Sequence, residues 1–211
     1  MALFNIENHL PLIAILRGVE LNDIVRIANI LVEEGFTMLE VPLNSPDALS
    51  SIRLMVEHFG PDLLLGAGTV TTEQEANAVI ATGANLVVTP NLNEAVIKAA
   101  VAANCVCFPG VVTPTEAFAA LAAGATGLKL FPVSQVGING YKALKSVLPK
   151  DVLTMPVGGI NPTVESMKPY IDIGANGFGL GASLYQVGMS DDQIRTNAKQ
   201  FVGAYNQCFA A

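Results

Sequence analysis

The stretch AAGATGLKL, residues 122–130, decides how this chain folds. Small residues that suit a helix run up to Gly124, and a short apolar run begins directly after it. A glycine at that junction fits the left-handed residue that closes a helix before the chain enters a strand. The same figure recurs in EEGFTMLEV (33–41), ATGANLVVT (81–89) and DIGANGFGL (172–180), with Gly35, Gly83 and Gly174 in the place of Gly124. Such self-similarity predicts a repeated helix–strand unit.

Working outward, strands are expected near residues 11–16, 37–42, 63–68, 86–89, 105–108, 127–131, 152–157 and 177–180, each followed by a helical pattern. In the first of these patterns Ile24, Ile27, Ala28 and Leu31 recur at the spacing of one buried face. Helix starts are marked by Ser45-Pro46, Thr113-Pro114 and Asn161-Pro162, each an N-cap side chain before a proline at the first helical position. Thr72 with Glu75, and Thr113 with Glu116, fit capping boxes. Eight strand–helix units of roughly 25 residues without a linker give an α/β fold, a (β/α)8 TIM barrel in a single domain over 1–211. No G-x-G-x-x-G follows the first strand, which disfavours an open dinucleotide-binding sheet.

Composition narrows the function. The 211 residues are 51% hydrophobic and 14% charged, which leaves little sequence for disordered tails. Runs such as LPLIAIL are interrupted well short of the roughly 20 residues a bilayer requires, so no membrane span is expected. The first residues, MALFNIENHLPL, carry no basic region ahead of an apolar stretch and no small-residue cleavage pattern, and the expected location is the cytoplasm. Cys105, Cys107 and Cys208 form no C-x-x-C pair and read as reduced core thiols. A net charge of −7 argues against a nucleic-acid partner while permitting a small positive pocket for an anionic metabolite.

The chemistry is carried by three charges at or inside strands: Arg17 in AILRG, Glu40 in MLEVP and Lys129 in GLKLFP. Glu40 and Lys129 each stand five residues after a helix-closing glycine, so the repeat places them at one height. Strand alternation then turns Leu39, Val41, Leu128 and Leu130 toward the helices and both charges into the barrel. A buried ion pair that only satisfies itself is costly to desolvate, which favours a catalytic reading. A desolvated amine is held toward its neutral, nucleophilic form, as imine formation with a ketone requires, and Glu40 is placed to shuttle protons.

Arg17 ends the first strand, where a guanidinium can grip a carboxylate at two points; a surface pairing with Glu20 or Asp23 is the alternative. GAGTV puts the Thr69 hydroxyl at the end of the third strand, although its glycines could serve only close packing. VGGIN and GLGAS end the last two strands, where barrels often cradle a phosphate with backbone N–H groups. Gly158, Gly159, Gly179, Gly181 and Ser183 are the candidates, Ser134 in FPVS offers one more hydroxyl, and tight turns alone are the other explanation for the glycines. His9 and His58 end no strand, and neither a metal nor a cofactor is expected.

LEVPLNS, GAGTV, VVTPN, LKLFP and VGGI, taken in order along essentially the whole chain, resemble the class I aldolases that cleave 2-keto-3-deoxy-6-phospho sugar acids, the KDPG/KDPGal aldolase family. The resemblance implies that Lys129 is the Schiff-base lysine, Glu40 the general acid/base, and Arg17 with Thr69 the contacts to the pyruvate carboxylate. It puts Asn44, Pro90 and Val157 on the substrate side and Gly158, Gly159 and Ser183 in the phosphate region, and it implies a homotrimer. AILRG, Asn44 in PLNS, and Val157 before the double glycine look more like the branch acting on the galactonate-derived sugar than the branch acting on its gluconate C4 epimer. Asn161 after GGI is a departure near the substrate hydroxyls. The small phosphorylated keto acid would be split to pyruvate and glyceraldehyde 3-phosphate. A barrel isomerase or epimerase without a covalent step, and a silent metabolite-binding barrel, are the readings outside this family.

Overall fold

The computed structural model describes residues 5–210. Its elements alternate: β1 (Leu12–Ile15), α1 (Ile24–Glu33), β2 (Met38–Pro42), α2 (Ala48–Phe59), β3 (Leu64–Gly68), α3 (Glu73–Ile80), β4 (Leu86–Val88), α4 (Glu94–Ala102), β5 (Val106–Phe108), β6 (Gly110–Val111), α5 (Pro114–Ala122), β7 (Gly127–Leu130), α6 (Val133–Val147), β8 (Leu153–Pro156), α7 (Val164–Ile173), β9 (Phe178–Leu180) and α8 (Asp191–Gln207). Strands pair in parallel in the orders β5-β4-β3-β2-β1-β9 and β6-β7-β8, and a parallel bridge from Val157 to Gly179 joins the two sheets. Over the described residues the result is a curled, barrel-like parallel sheet with eight α-helices.

The strand expected over 105–108 is β5, and Pro109 separates it from a second short strand, β6, that the sequence pattern does not predict. Without an N–H, Pro109 cannot donate to a ladder, so pairing breaks between β5 and β6. Its carbonyl still accepts from the Lys129 N–H at 2.9 Å, which carries the lysine strand across the break.

Alternation along the strands separates two apolar clusters. Leu39, Val41, Leu128 and Leu130 belong to the large cluster that includes buried helix residues such as Ile24, Ile27, Ala28 and Leu31. Ile13, Met38, Leu64, Leu86, Val88, Val106, Phe108 and Met155 form the smaller inner cluster, against which Ile6 of a short 3₁₀ turn (Ile6–Asn8) also packs. Parallel strands buried on both faces need such near-continuous apolar runs.

The four glycines of the repeat all take the left-handed conformation, with φ of 96° at Gly35, 88° at Gly83, 98° at Gly124 and 109° at Gly174. Both expected capping boxes are present, on α3 and α5, and Pro114 opens α5 after Thr113. The other two helix starts differ. α2 begins at Ala48 after Asp47, and the Ser45 hydroxyl instead accepts from the Gly18 N–H at 2.9 Å. α7 is capped by Thr163, whose side chain accepts from the Ser166 N–H, so Asn161-Pro162 lies in the loop before it. In both places a loop contact competes successfully for a residue that local sequence alone assigns to the helix. The three cysteines are free and buried. Among the described residues no helix is long and apolar enough to cross a membrane.

Candidate active site

Lys129 lies on β7 with the same facing as Gly127 and is only 6% exposed; Glu40 lies on β2 with the facing of Met38 and is 1% exposed. The register pairs Glu40 with Ile15 on one side and Gly66 on the other, and Lys129 with Gly110 and Met155. Neighbouring backbone excludes a side chain beside each charge: a Cβ on Gly66 would overlap the Leu86 carbonyl, and one on Gly110 would overlap the Pro90 backbone. Lys129 Nζ sits 4.7 Å from the centre of the Phe131 ring, two residues further along the same strand face.

Burial dominates both titrations. The Lys129 amine is held below its usual range by desolvation, the Glu40 carboxylate pulls it back up, and Arg17 pushes it down. The Glu40 carboxyl is pushed up to about 7 by desolvation, against the opposing pull of Lys129, Arg17 and the Gly68 backbone. Its Oε2 is buried and, among the described residues, without a hydrogen-bond partner. An amine held toward neutrality beside a carboxyl poised near neutral pH is an arrangement that can supply a nucleophile and a proton shuttle.

This has a measurable consequence for stability. Glu40 has a higher pKa folded than its ordinary 4.5, so the folded state binds more protons between pH 4.5 and 7, and stability falls as pH rises through that window. The neutral isostere Glu40→Gln lacks the effect. Urea denaturation at pH 5 and pH 8 is expected to show the variant gaining about 2–3 kcal/mol on the wild type at the higher pH. A difference independent of pH would mean that Glu40 does not titrate there.

Arg17 does not pair with Glu20 or Asp23. One guanidinium nitrogen donates to Asn44 Oδ1 and the other to Thr69 Oγ1 at 3.4 Å, while Asp23 pairs with Arg26. Thr69 is held at φ 59°, a left-handed conformation that is strained for a β-branched residue. Arg17 also opens onto a cavity of about 580 Å³, which the expected Val157, Gly158, Gly159, Gly179, Gly181 and Ser183 line with it.

Within that cavity Gly158 and Gly159 have φ of 100° and 83°, so two consecutive residues need glycine. The N–H groups of Gly159, Ala182 and Ser183 make no hydrogen bond within the described residues, which leaves donors on the two loops for an anion. Ser183 Oγ meets Asn161 Oδ1 at 3.5 Å, linking the same loops. Gly179 makes room for Val157, since a Cβ there would stand 2.6 Å from a Val157 methyl. Ser134 stands beside Gly159 without lining the cavity, and the Pro90 backbone packs on Gly110 rather than on the other candidates. Among the described residues no group of three or more His, Cys, Asp or Glu is placed to hold a metal ion.

Phe131 and Ile15 line the cavity and are absent from the candidates read in the sequence. Alternation could have found both, because Phe131 shares the facing of Lys129 and Ile15 that of Ile13.

Comparison with known proteins fits this geometry. Residues 4–198 match the family model described as KDPG and KHG aldolase. The 2-dehydro-3-deoxy-6-phosphogalactonate aldolase of Escherichia coli (strain K12) is 42% identical over 95% of this chain and 97% of its own. A solved structure described as native KDPGal superposes with a TM-score of 0.91 at 43% identity, covering 94% of this chain and 96% of that one. A KDPG aldolase structure from Legionella pneumophila, with pyruvate captured as a covalent carbinolamine, is 29% identical over 92% of this chain and 91% of that one, with a TM-score of 0.74. The matched length and the shared fold make this chain a member of the KDPG and KHG aldolase family.

Proposed function

We propose that the protein is a class I aldolase that reversibly cleaves 2-dehydro-3-deoxy-6-phosphogalactonate to pyruvate and D-glyceraldehyde 3-phosphate. The observation that carries this reading is an amine and a carboxyl buried together in the interior of the curled sheet, beside a cavity lined by an arginine and by unpaired backbone donors at its loops. Neutral Lys129 attacks the C2 ketone, and the carbinolamine loses water to an iminium. The C3–C4 bond then breaks with its electron pair flowing into the iminium, as Glu40, directly or through a water, takes the C4 hydroxyl proton. Protonation of the enamine at C3 and hydrolysis release pyruvate and free the lysine.

Arg17, held by Asn44 and Thr69, grips the carboxylate. The Gly158–Gly159 and Gly181–Ser183 loops take the phosphate, which fixes the far end of the substrate and aligns the breaking bond. The galactonate-derived substrate is favoured by the higher identity to relatives so named, 42% and 43%, than to the KDPG aldolase at 29%. The bridge from Val157 to Gly179 and the continuity of the chain through Pro109 support closure of the sheet into a (β/α)8 barrel, one domain over 1–211. By the family resemblance the protein works as a homotrimer, and the sequence reading favours the cytoplasm and no cofactor.

Incubation with pyruvate and sodium borohydride, followed by peptide mass spectrometry, is expected to place a reduced pyruvyl adduct on Lys129. In the cleavage assay kcat/KM for the galactonate epimer should exceed that for the gluconate epimer by at least about tenfold, or 1.4 kcal/mol. A folded protein that binds pyruvate and yields no adduct would point instead to a non-covalent isomerase or epimerase. A reversed ratio would move the protein to the gluconate branch.

A further inference from the structure

We infer that Gly68 is a positioning residue whose missing side chain forms the seat of the Glu40 carboxylate, an inference that rests on the proton-shuttle role proposed for Glu40. The two glycines of GAGTV face the same way as Leu64, into the interior, yet they meet different neighbours. A Cβ built on Gly66 would overlap the backbone carbonyl of Leu86 on the adjacent strand. A Cβ built on Gly68 would overlap Oε1, Oε2 and Cδ of Glu40, well inside the roughly 3.5–4.0 Å of ordinary carbon contact. Of the 19 glycines in the chain, Gly68 alone would set a side chain against a carboxylate.

Its backbone does not need glycine, because its φ lies outside the left-handed region. The requirement is therefore one of space, imposed by the side chain that fills it. Glu40 extends from β2 toward the end of β3, and the register pairs Pro42, two residues beyond it, with Gly68. The carboxyl thereby rests against bare backbone in a buried place; its desolvation there lifts it above its ordinary range, while the Gly68 backbone itself pulls it down. The charges that face it, Lys129 from β7 and Arg17 from beyond β1, oppose that lift. The neighbouring Thr69 holds Arg17, so successive residues of one strand end set the acid/base and the carboxylate grip.

The test is Gly68→Ala in two backgrounds. With Glu40 present, the methyl is expected to evict the carboxylate, lower Tm by a few degrees and cut kcat/KM about a hundredfold. The displaced carboxyl is more hydrated, so the limb of the pH–rate profile that Glu40 governs should move from about 7 toward its ordinary 4.5. With Glu40→Ala the seat is empty, and adding Gly68→Ala should leave Tm unchanged. This thermal comparison needs no turnover, so it reads the seat even in a protein that proves not to cleave the substrate. It also decides the case if Gly68→Ala alone fails to fold. An equal loss of Tm in both backgrounds, an unmoved pH limb, or wild-type turnover by Gly68→Ala would overturn the inference.

Discussion

Lys129→Ala is expected to remove turnover and borohydride-trapped adduct together, with kcat falling by at least about 10⁴-fold. Among the described residues the other cation that acts on the pair is Arg17, a guanidinium rather than an amine, so it cannot take over the covalent step. Arg17 and the loop donors survive the substitution, so substrate binding should weaken far less than the chemical step slows. Truncation also removes the charge that draws the Glu40 carboxyl downward, which leaves that carboxyl more protonated at neutral pH. Lys129→Met separates the two effects of the change, since it keeps a long apolar chain in the same space and lacks only the amine. Steady-state turnover at the wild-type rate by either variant would falsify the imine mechanism.

Gly66→Ala carries the largest expected effect on stability. Its Cβ would overlap the Leu86 carbonyl oxygen and lie 2.7 Å from the carbonyl carbon, both backbone atoms of the paired strand β4. Unlike a side-chain tip, a ladder carbonyl can yield only if the strands part, which loses pairing and packing together. A loss of about 3–5 kcal/mol follows, or a fall in Tm on the order of 10 °C for a chain of this length. Thermal unfolding followed by circular dichroism would measure it. A variant that melts within a degree of the wild type would show that β3 and β4 can separate locally at little cost.

These two glycines show where the sequence stops speaking. GAGTV marks a crowded strand end, and close packing and a functional role are equally good readings of its glycines. Only the neighbours decide, a carbonyl for Gly66 and a carboxylate for Gly68, and both neighbours come from other strands. Ser45 teaches the same point. Its place before Pro46 reads as a helix cap, but the N–H it accepts belongs to Gly18, 27 residues away.

Much of the fold was legible because its determinants are local. A left-handed glycine, a capping box and a period-two alternation are each fixed by residues a few positions apart, so the repeat around Gly35, Gly83, Gly124 and Gly174 yields the strand–helix order and the inward facing of Glu40 and Lys129. What only the tertiary structure decided depends on distance between elements. The hold of Asn44 and Thr69 on Arg17 and the cavity between the last two loops both join residues far apart in sequence. So does the lift of Glu40 to about 7, because desolvation is set by everything packed around a group, and a linear sequence does not state what surrounds it.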